Sequence, residues 1–411
     1  PYYLINKGSM GMYAVPNKKN IGKPEIDAAL QVTVDAALHD ETISYKIPVI
    51  HKRTDRVRGE VNEPLHIVPV LSIGMENPVY VFKSGEQKLI TVGVKAFTDV
   101  QDVVVALDVP KDWSVSRNKH EKLSLKKDGN QILQYVVTAP RRQSQGFITA
   151  TATHNGRSYN QTVTRIDYNH IPDQQLLQPS TASVVNPNLK IMASTIAYIN
   201  GAGDDVARGI EAMGVKVFRY DPDAVPTDLS KYDAVMVGIR AYNVASESMA
   251  ALQPRLREYV NDGGNLIMQY NTNRGIGNNE LGPLEITLSR KRVTKENAPV
   301  RIIAPDHAVV NIPNKITEQD FQGWVQERGL YFPQAWDPAF TPILSMNDAG
   351  EEAATGSLIV APYGKGSIVY TGLSLFRELP AGVPGAYKLL ANILSLESAK
   401  PINTQDEPAK Y

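Results

Sequence analysis

The pattern that most constrains this chain is a strand, a helix and a second strand within residues 231–273. Two short apolar runs, Ala234–Val237 and residues 266–268, end abruptly in polar residues, and about five turns of helical pattern separate them. This order is the repeating unit of a parallel sheet. Ligands of open parallel sheets bind beyond the carboxyl ends of the strands, so we expect any site there. The polar side chains that follow the two runs are Arg240, Tyr242, Asn243 and Asn271.

The same alternation extends over residues 189–397. An apolar run at residues 189–199 precedes a helical pattern that ends at Gly214, and further strands are predicted at 215–218, 300–303, 357–360 and 368–370. Strands that alternate with helices predict a flavodoxin-like, doubly wound α/β domain. A last helix is expected over residues 385–396, and residues 398–411 are expected to be a disordered polar tail. The buried side of that helix is predicted to carry Leu389, Leu390, Ile393 and Leu394.

The preceding half of the chain carries β patterning alone. Residues 1–70 alternate in two short stretches, which predicts a small β-sandwich module, complete or in part. Residues 71–168 contain short strands at the spacing of an immunoglobulin-like sandwich, with Trp113 as an expected core anchor. Asn155-Gly156 predicts a tight hairpin turn. Residues 169–188 lack periodicity and are rich in turn formers, so we expect a connector.

Composition excludes several classes of function. At 411 residues, two or three domains are expected. Lys+Arg and Asp+Glu both number 43, which argues against a broad nucleic-acid-binding face. The absence of cysteine excludes disulfides, thiolate metal sites and a cysteine nucleophile. No apolar run approaches the roughly 18–20 residues of a membrane span. Because it starts at Pro1, the chain is expected to be a mature protein or a piece of a longer one.

The segment GAGDD at residues 201–205 stands where a dinucleotide-binding turn would stand. Its third glycine is missing, and two carboxylates would repel a pyrophosphate. We therefore favour a structural role, with Asp204 as the helix N-cap and Asp205 favourable to the helix dipole. A contact to a sugar hydroxyl or a cation is the alternative.

The side chains beyond the two strands suit a polar ligand. Arg240 can clamp a carboxylate or a carbonyl oxygen, while Asn243 and Asn271 can hydrogen-bond a sugar. The alternative, which we favour, is that Arg240 pairs with a carboxylate and closes the top of the sheet. Its candidate partners are Asp204, Asp205 and Glu327.

Residues 323–332 combine aromatic side chains with the charge pair Glu327 and Arg328. Trp324 beside charged groups suits sugar stacking or an interface anchor, and a loop packed onto its own domain is an equal alternative. A basic stretch at residues 289–301 is interpreted as a solvated face rather than an anion site. Arg377 completes the candidate ligand-binding residues.

No self-contained catalytic site is visible in the sequence. The seven histidines are all more than five residues apart, so no zinc-binding histidine pair exists, and no G-x-S-x-G elbow occurs. We therefore predict no catalytic residue, no metal ligand and no cofactor in this chain.

Several longer motifs carry a family resemblance. They are GAGDDV at 201–206, GIRAYN at 238–243, GGNL at 263–266, QYNT at 269–272, WVQERGLY at 324–331 and LPAGVPGAY at 379–387, with a shorter match, RTDRVRGE, at 53–60. On these, the chain resembles the C-terminal, non-catalytic region of large bacterial PIG-L/LmbE-type deacetylases. Its α/β domain also looks like the class I glutamine amidotransferase and trehalose-utilisation type of fold.

The resemblance implies where the chemistry lies. In that family an earlier catalytic domain carries a Pro-His-Pro-Asp-Asp metal motif and a later His-x-x-His, and neither occurs here. Zinc is therefore expected only in that other domain. In the amidotransferase type, the nucleophile follows the strand that here ends in Met268-Gln269-Tyr270, and the chain has no cysteine to fill that role.

We interpret the chain as an accessory, non-catalytic region of a carbohydrate N-deacetylase that serves glycan binding, domain positioning or assembly. Its expected partners are the deacetylase domain in cis, a glycan and a second copy of itself, in an extracytoplasmic location. One alternative is a purely structural or dimerisation scaffold. The other is an independent hydrolase that uses Asp204, Asp205, Arg240, Asn271 and Glu327.

Overall fold

The secondary structure changes character near residue 190, where a region built on strands gives way to strands mixed with α-helices. A computed structural model describes residues 2–6, 8, 12–116, 122–276 and 281–396. Several separate sheets and few helices make this a multidomain, β-rich protein. The predicted polar tail lies outside the described residues. Short 3-10 helices occur at Tyr2–Leu4, Lys18–Asn20, Ala308–Val310 and Glu318–Phe321.

The first 70 residues contain two separate hairpins. Strands β1 (Gln31–Leu38) and β2 (Glu41–Pro48) pair with each other, as do β3 (Ile50–Asp55) and β4 (Gly59–Pro64). The predicted strands are present, but every residue of β1 and β2 is exposed, and no second described sheet covers them. The expected sandwich is therefore absent from the described residues. Alternation of apolar and polar residues identifies a strand with one apolar face, but it does not show what covers that face.

A two-sheet sandwich follows. Its core is closed by Trp113, whose ring packs edge-on against Phe82 at a centroid distance of 4.9 Å and whose Nε1 donates to Ser144 Oγ at 3.0 Å. Asn155 and Gly156 both have positive φ and join two paired strands, as the sequence predicts. One sheet contains β6 (Val79–Val81), β8 (Val100–Asp108), β10 (Leu123–Leu125), β12 (Ser144–His154), β13 (Arg157–Tyr159) and β16 (Thr181–Asn186). The other contains β5 (Leu71–Met75), β7 (Gln87–Ala96), β9 (Ser114–Ser116) and β11 (Asn130–Thr138).

Residues 169–188 are more ordered than a connector. They include β15 (Gln174–Pro179), which pairs with β14 (Gln161–Ile166), and β16, which lies between β12 and β6 in the sandwich. These strands show that the expectation of a connector is wrong. The sequence did not reveal β16 because apolar and polar residues alternate only weakly along it. Four of its six residues are buried, so apolar side chains appear on both faces.

The second half is built on a seven-stranded mixed sheet in the order β18-β17-β19-β20-β27-β26-β24. The first five strands are parallel to one another, β26 pairs antiparallel with β27, and β24 pairs antiparallel with β26. These strands are β17 (Thr195–Ile199), β18 (Lys216–Tyr220), β19 (Ala234–Val237), β20 (Asn265–Gln269), β24 (Thr341–Pro342), β26 (Leu358–Tyr363) and β27 (Gly366–Thr371). Two further ribbons pair β21 (Ile286–Val293) with β23 (Gly329–Trp336) and β22 (Val300–Ile302) with β25 (Leu344–Met346). The strand predicted at 300–303 therefore lies outside the main sheet.

Helices cover both faces of this sheet. Alternate residues of β17 separate the two sides: Ile196 packs in one apolar core with α1, α4 and α5, and Ala197 packs in another with α3. None of the described helices is long and apolar enough to cross a membrane. The helices are α1 (Val206–Ala212), α2 (Ala241–Val244), α3 (Ser246–Asn261), α4 (Leu375–Ala381) and α5 (Pro384–Leu394). The four predicted core residues of the last helix are all buried.

The sandwich and the α/β part share side chains at their junction. Val81 of β6 belongs to the α/β core, and Lys88 Nζ donates to the Ala212 carbonyl at 3.3 Å. Gly382, just after α4, has φ +75°, and a Cβ placed there would lie 3.0 Å from Val185 Cγ2. The two parts therefore meet without room for a side chain at this point.

We predict that Gly382→Ala lowers the melting temperature more than Gly350→Ala does. Both glycines have positive φ, which costs roughly 1–2 kcal/mol for another residue. A Cβ at Gly350, however, has nothing within 4 Å. Overpacking against Val185 should add about 1–3 kcal/mol. Equal losses in thermal unfolding of the two variants would contradict the close approach.

Candidate functional site

The carboxyl edge of the parallel sheet gathers the segments that the sequence singles out. β17, β19 and β20 are neighbouring parallel strands, so the turns that follow them lie side by side. The outcome for the predicted site residues is mixed. Most are engaged by the chain itself, and a few remain available at the surface.

Asp204 is a structural hub. Its carboxylate accepts hydrogen bonds from the Tyr198 hydroxyl at 2.6 and 2.8 Å, from the Val206 N–H at 2.9 Å and from the Ile239 N–H at 3.3 Å. The N-cap position of α1 belongs to Asp205, which makes no side-chain capping bond, so the predicted cap is displaced by one residue. Burial, together with the charge of Asp204, raises the pKa of Tyr198.

A polar cavity of about 410 Å³ opens beside this turn. Asp205, Arg208, Arg219 and Asp221 contribute to its lining. Among the described residues, no group of three or more His, Cys, Asp or Glu side chains is placed to hold a metal ion.

Asn243, Asn271 and Tyr242 are held inside the fold. Asn271 is fully buried, with Oδ1 accepting from the Tyr242 N–H at 3.2 Å. Asn243 ties the two strand-end turns together, because its Oδ1 accepts from the Thr272 N–H at 2.8 Å and its Nδ2 donates to the Thr272 carbonyl at 3.1 Å. Tyr242 is buried, and burial raises its pKa. The chain itself thus uses hydrogen-bonding groups of all three residues, and ligand binding by them stays a prediction.

Trp324 and Arg328 are also structural. Arg328 is 4% exposed, and its guanidinium donates to the carbonyls of Ala298, at 2.7 and 3.0 Å, and of Phe321. Trp324 is buried, and its Nε1 donates to the Asp320 carbonyl at 3.2 Å. A buried indole has no face open to a sugar, so the alternative of a loop packed onto its own domain is the correct one.

The expected pairing of Arg240 does not form among the described residues. Glu327 pairs instead with Arg377, whose Nε lies 2.9 Å from Glu327 Oε1. The Arg240 backbone is left-handed, with φ +56°, and its N–H donates to the Tyr270 carbonyl at 2.9 Å. Its Nε is buried and has no hydrogen-bond partner in the described chain. Arg240 therefore keeps unused donor capacity at the strand ends.

An aromatic group adjoins the Tyr270 carbonyl that binds the Arg240 N–H. The rings of Tyr270 and Tyr331 are stacked, with centroids 6.2 Å apart and planes 12° apart, and Phe376 lies 5.2 Å from Tyr270. The Arg377 guanidinium lies 4.9 Å from the centre of the Phe376 ring. We call Arg240, Tyr270, Tyr331, Phe376 and Arg377 the strand-end cluster.

The strand-end cluster also differs from an ordinary surface in its electrostatics and in its backbone conformation. Burial raises the pKa of Tyr270, and the positive charges of Arg240 and Arg377 oppose that rise. Arg240, Gln326 and Tyr331 all have left-handed backbones, which cost energy in residues other than glycine. Such conformations gather at functional sites more often than elsewhere. In the sequence, the aromatic residues inside the family motifs were the available indication of this cluster.

Gln269 occupies the last position of β20. It is buried, and its Nε2 donates to the Tyr198 hydroxyl at 2.8 Å and to the Val237 carbonyl at 3.4 Å. The end of this strand thus presents an internally bonded amide, followed by the Tyr270 ring.

Glu378 is a buried carboxyl behind the strand-end cluster that the sequence did not reveal. It is 0% exposed, and its Oε2 accepts from the Val325 N–H at 2.9 Å. Burial raises the pKa of Glu378 to about 8, against the opposing effects of that N–H and of Arg328. Burial also lowers the pKa of Arg328 to about 10.

We predict that Glu378→Gln reduces the pH dependence of stability. The folded protein holds a proton on Glu378 up to a pH of about 8, whereas the unfolded chain loses it near the ordinary value of 4.5. Across that window stability should fall as pH rises, by up to about 1.4 kcal/mol per pH unit. Urea unfolding from pH 5 to 8 should show a flatter profile for Glu378→Gln, and the exposed control Glu351→Gln should match the wild type. Parallel profiles for all three proteins would contradict the assignment.

Comparison with known proteins leaves the family open. No protein-family model and no curated protein matches the sequence. Similar solved structures include a putative GMP synthase component from Thermoplasma acidophilum, at 12% identity over 51% of this chain and 96% of that one, with a TM-score of 0.34. A β-galactosidase from Halorubrum lacusprofundi is similar at 16% identity over 52% of this chain and 31% of that one, with a TM-score of 0.30. Escherichia coli α-2-macroglobulin is similar at 16% identity over 40% of this chain and 8% of that one, with a TM-score of 0.22. Likenesses this weak carry no functional argument, and the deacetylase-family resemblance stays a prediction.

Proposed function

We propose that this chain is the accessory, non-catalytic region of a PIG-L/LmbE-type carbohydrate N-deacetylase and that it binds glycan at the strand-end cluster. In this proposal residues 71–186 form an immunoglobulin-like sandwich and the α/β part is flavodoxin-like. The second assignment is supported by the parallel strands, which lie in the order second, first, third, fourth, fifth along the chain.

One observation carries the proposal. Stacked aromatic rings flanked by two arginines lie where parallel sheets bind ligands, and Arg240 retains an unpaired donor. Tyr270 is buried, so the apolar faces offered to a ligand are those of the partly exposed Tyr331 and Phe376 rings. Together with guanidinium groups, which donate several hydrogen bonds, these rings suit a sugar ring and its oxygens. The motifs behind the family resemblance contain three of the five cluster residues, Arg240, Tyr270 and Tyr331.

The rival hydrolase proposal has less support. Asp204 and Asn271 satisfy backbone and side-chain groups of their own chain, and Glu327 is paired with Arg377. Of the residues that it requires, only Asp205 and Arg240 keep polar groups without such bonds in the described chain. Asp205 would have to be the general base, because Asp204 is hydrogen-bonded within the chain and Glu327 is paired with Arg377.

We predict that Arg377→Ala and Arg240→Asn each weaken glycan binding about tenfold, or about 1.4 kcal/mol, with little change in melting temperature. Asparagine tolerates the left-handed backbone at Arg240. The Arg377–Glu327 ion pair is only partly exposed, with side chains 35% and 14% exposed, so its loss should cost on the order of 1 kcal/mol. Calorimetric titration with N-acetylglucosamine oligomers measures the effect, and Arg165→Ala, which breaks an ion pair with Asp173 at the β14–β15 ribbon, is the control.

The same samples test the absence of catalysis. With zinc added, the wild-type chain should release no acetate from the N-acetylated oligomers. Turnover by the wild type, or binding that neither cluster variant alters, would contradict the proposal.

Assembly is a second candidate function, favoured by the β1–β2 ribbon. Its register places Val32 opposite Ile47, Val34 opposite Tyr45 and Ala36 opposite Ile43, so one face is apolar. The six large apolar residues of the two strands are 42–62% exposed. Two copies of this face can meet without like-charge repulsion, because the pairs along it are uncharged except for Glu41 at the end. An isolated two-stranded ribbon is only marginally stable, which favours such a cover.

For this candidate we predict that the protein dimerises and that Val34→Lys shifts it to the monomer. Light scattering at graded protein concentrations measures the mass. Val57→Lys, at a turn residue that is 93% exposed, should leave the dimer intact. A wild type that stays monomeric at all concentrations would rule out the second copy as the cover.

A further inference from the structure

A groove with a volume of about 780 Å³ lies between the sandwich and the α/β part. Ligand pockets commonly have volumes of roughly 300–1,000 Å³ and often lie where domains meet. One wall is formed by residues 142–147 and Ser183, and the other by residues around 319–323 and 381–385. This groove is separate from the strand-end cluster.

An exposed phenylalanine lines the groove. Phe147 is 65% exposed, whereas its neighbour Ile148 on β12 is fully buried in the sandwich core. Because side chains alternate along a strand, Phe147 lies on the outer face of the sheet, as does Gln145. An aromatic ring open to solvent within a concave surface provides a stacking face for a ligand.

The polar groups of the groove are mostly uncharged and unused. Four glutamines line it, and their side-chain amides make no hydrogen bond to any described residue: Gln143, Gln145, Gln319 and Gln322. Each amide both donates and accepts hydrogen bonds, which matches the mixed character of hydroxyl groups. The two charged lining residues are already paired, Arg142 with Asp112 and Asp320 with Lys388. The groove therefore favours a neutral, hydroxyl-rich ligand.

Helix α4 links the groove to the strand-end cluster. Phe376 and Arg377 lie in its first turn, and Ala381 at its end lines the groove. At 1.5 Å per residue, the two ends are only about 10 Å apart. The segment from Gln322, in the groove, to Glu327, beside Arg377, also connects the two places.

We propose that the interdomain groove is a second carbohydrate subsite, which takes the neutral part of an extended oligosaccharide whose other part occupies the strand-end cluster. Phe147 stacks on a sugar ring, and the glutamine amides bind its hydroxyl groups. The proposal rests on the glycan-binding function inferred above for its class of ligand, but it uses a different set of residues. A longer glycan that spans both subsites gains contacts that a short one lacks.

The test is calorimetric titration of the full chain with N-acetylglucosamine oligomers of two to six units. We expect affinity to rise with length, and Phe147→Ala to weaken binding of the longest oligomer about tenfold. Ile132→Ala is a matched control, because Ile132 is also 65% exposed on the sandwich but belongs to β11 of the other sheet. Gln145→Ala should act in the same direction as Phe147→Ala, and thermal unfolding checks that each variant is folded.

The outcomes separate the two subsites. If Phe147→Ala binds the longest oligomer as the wild type does, or if Ile132→Ala loses as much affinity, the groove is overturned. Loss of binding in Arg377→Ala alone would support the strand-end cluster as a site and overturn the groove. Loss of binding in Phe147→Ala alone would support the groove and overturn the strand-end cluster. Binding of a neutral glutamine- and serine-rich peptide in preference to every oligomer would also overturn the carbohydrate assignment, and no binding of any oligomer to the wild type would overturn both.

Discussion

A chain of hydrogen bonds across three strands determines which side chains at the carboxyl edge of the sheet remain available to a ligand. Gln269 at the end of β20 donates to the Tyr198 hydroxyl of β17, which donates to Asp204, and Asp204 also accepts from the Ile239 N–H after β19. Buried polar groups must be paired, so these groups cannot be removed from the network without cost. These side chains therefore tie the ends of the three strands together.

The same constraint explains which site residues could be predicted. The strand, helix and strand of residues 231–273 were readable from apolar runs and their polar ends, and they appear as β19, α3 and β20. Sequence position also placed Asp204, Asn243 and Asn271 at the edge. It could not show that their side chains point inward, because partner choice depends on loops far away in sequence. Arg328 illustrates this, because its guanidinium donates to the carbonyls of residues 298 and 321. No local sequence pattern predicts these two partners.

What remains after that internal pairing is apolar and cationic. Tyr270, Tyr331 and Phe376 pack into one group, and Arg240 and Arg377 border it. Such a surface can hold a ligand by stacking and donated hydrogen bonds without a base or a nucleophile. The strand-end cluster could not be predicted from the sequence as one group. Tyr331 and Phe376 belong to distant segments, β23 and α4, and only the fold brings them to the end of β20.

Rigid attachment of the sandwich matters for the groove in the same way. Val81 contributes to the α/β core, and the close approach at Gly382 leaves no space for a side chain between the two parts. These contacts join the two parts that flank the groove, and a groove formed before binding loses less conformational freedom when a ligand arrives. The β1–β2 ribbon is the opposite case, since no described side chain covers its apolar face. The binding that we propose for the α/β part and its sandwich thus uses preformed surfaces, whereas the ribbon gains stability when another surface covers it.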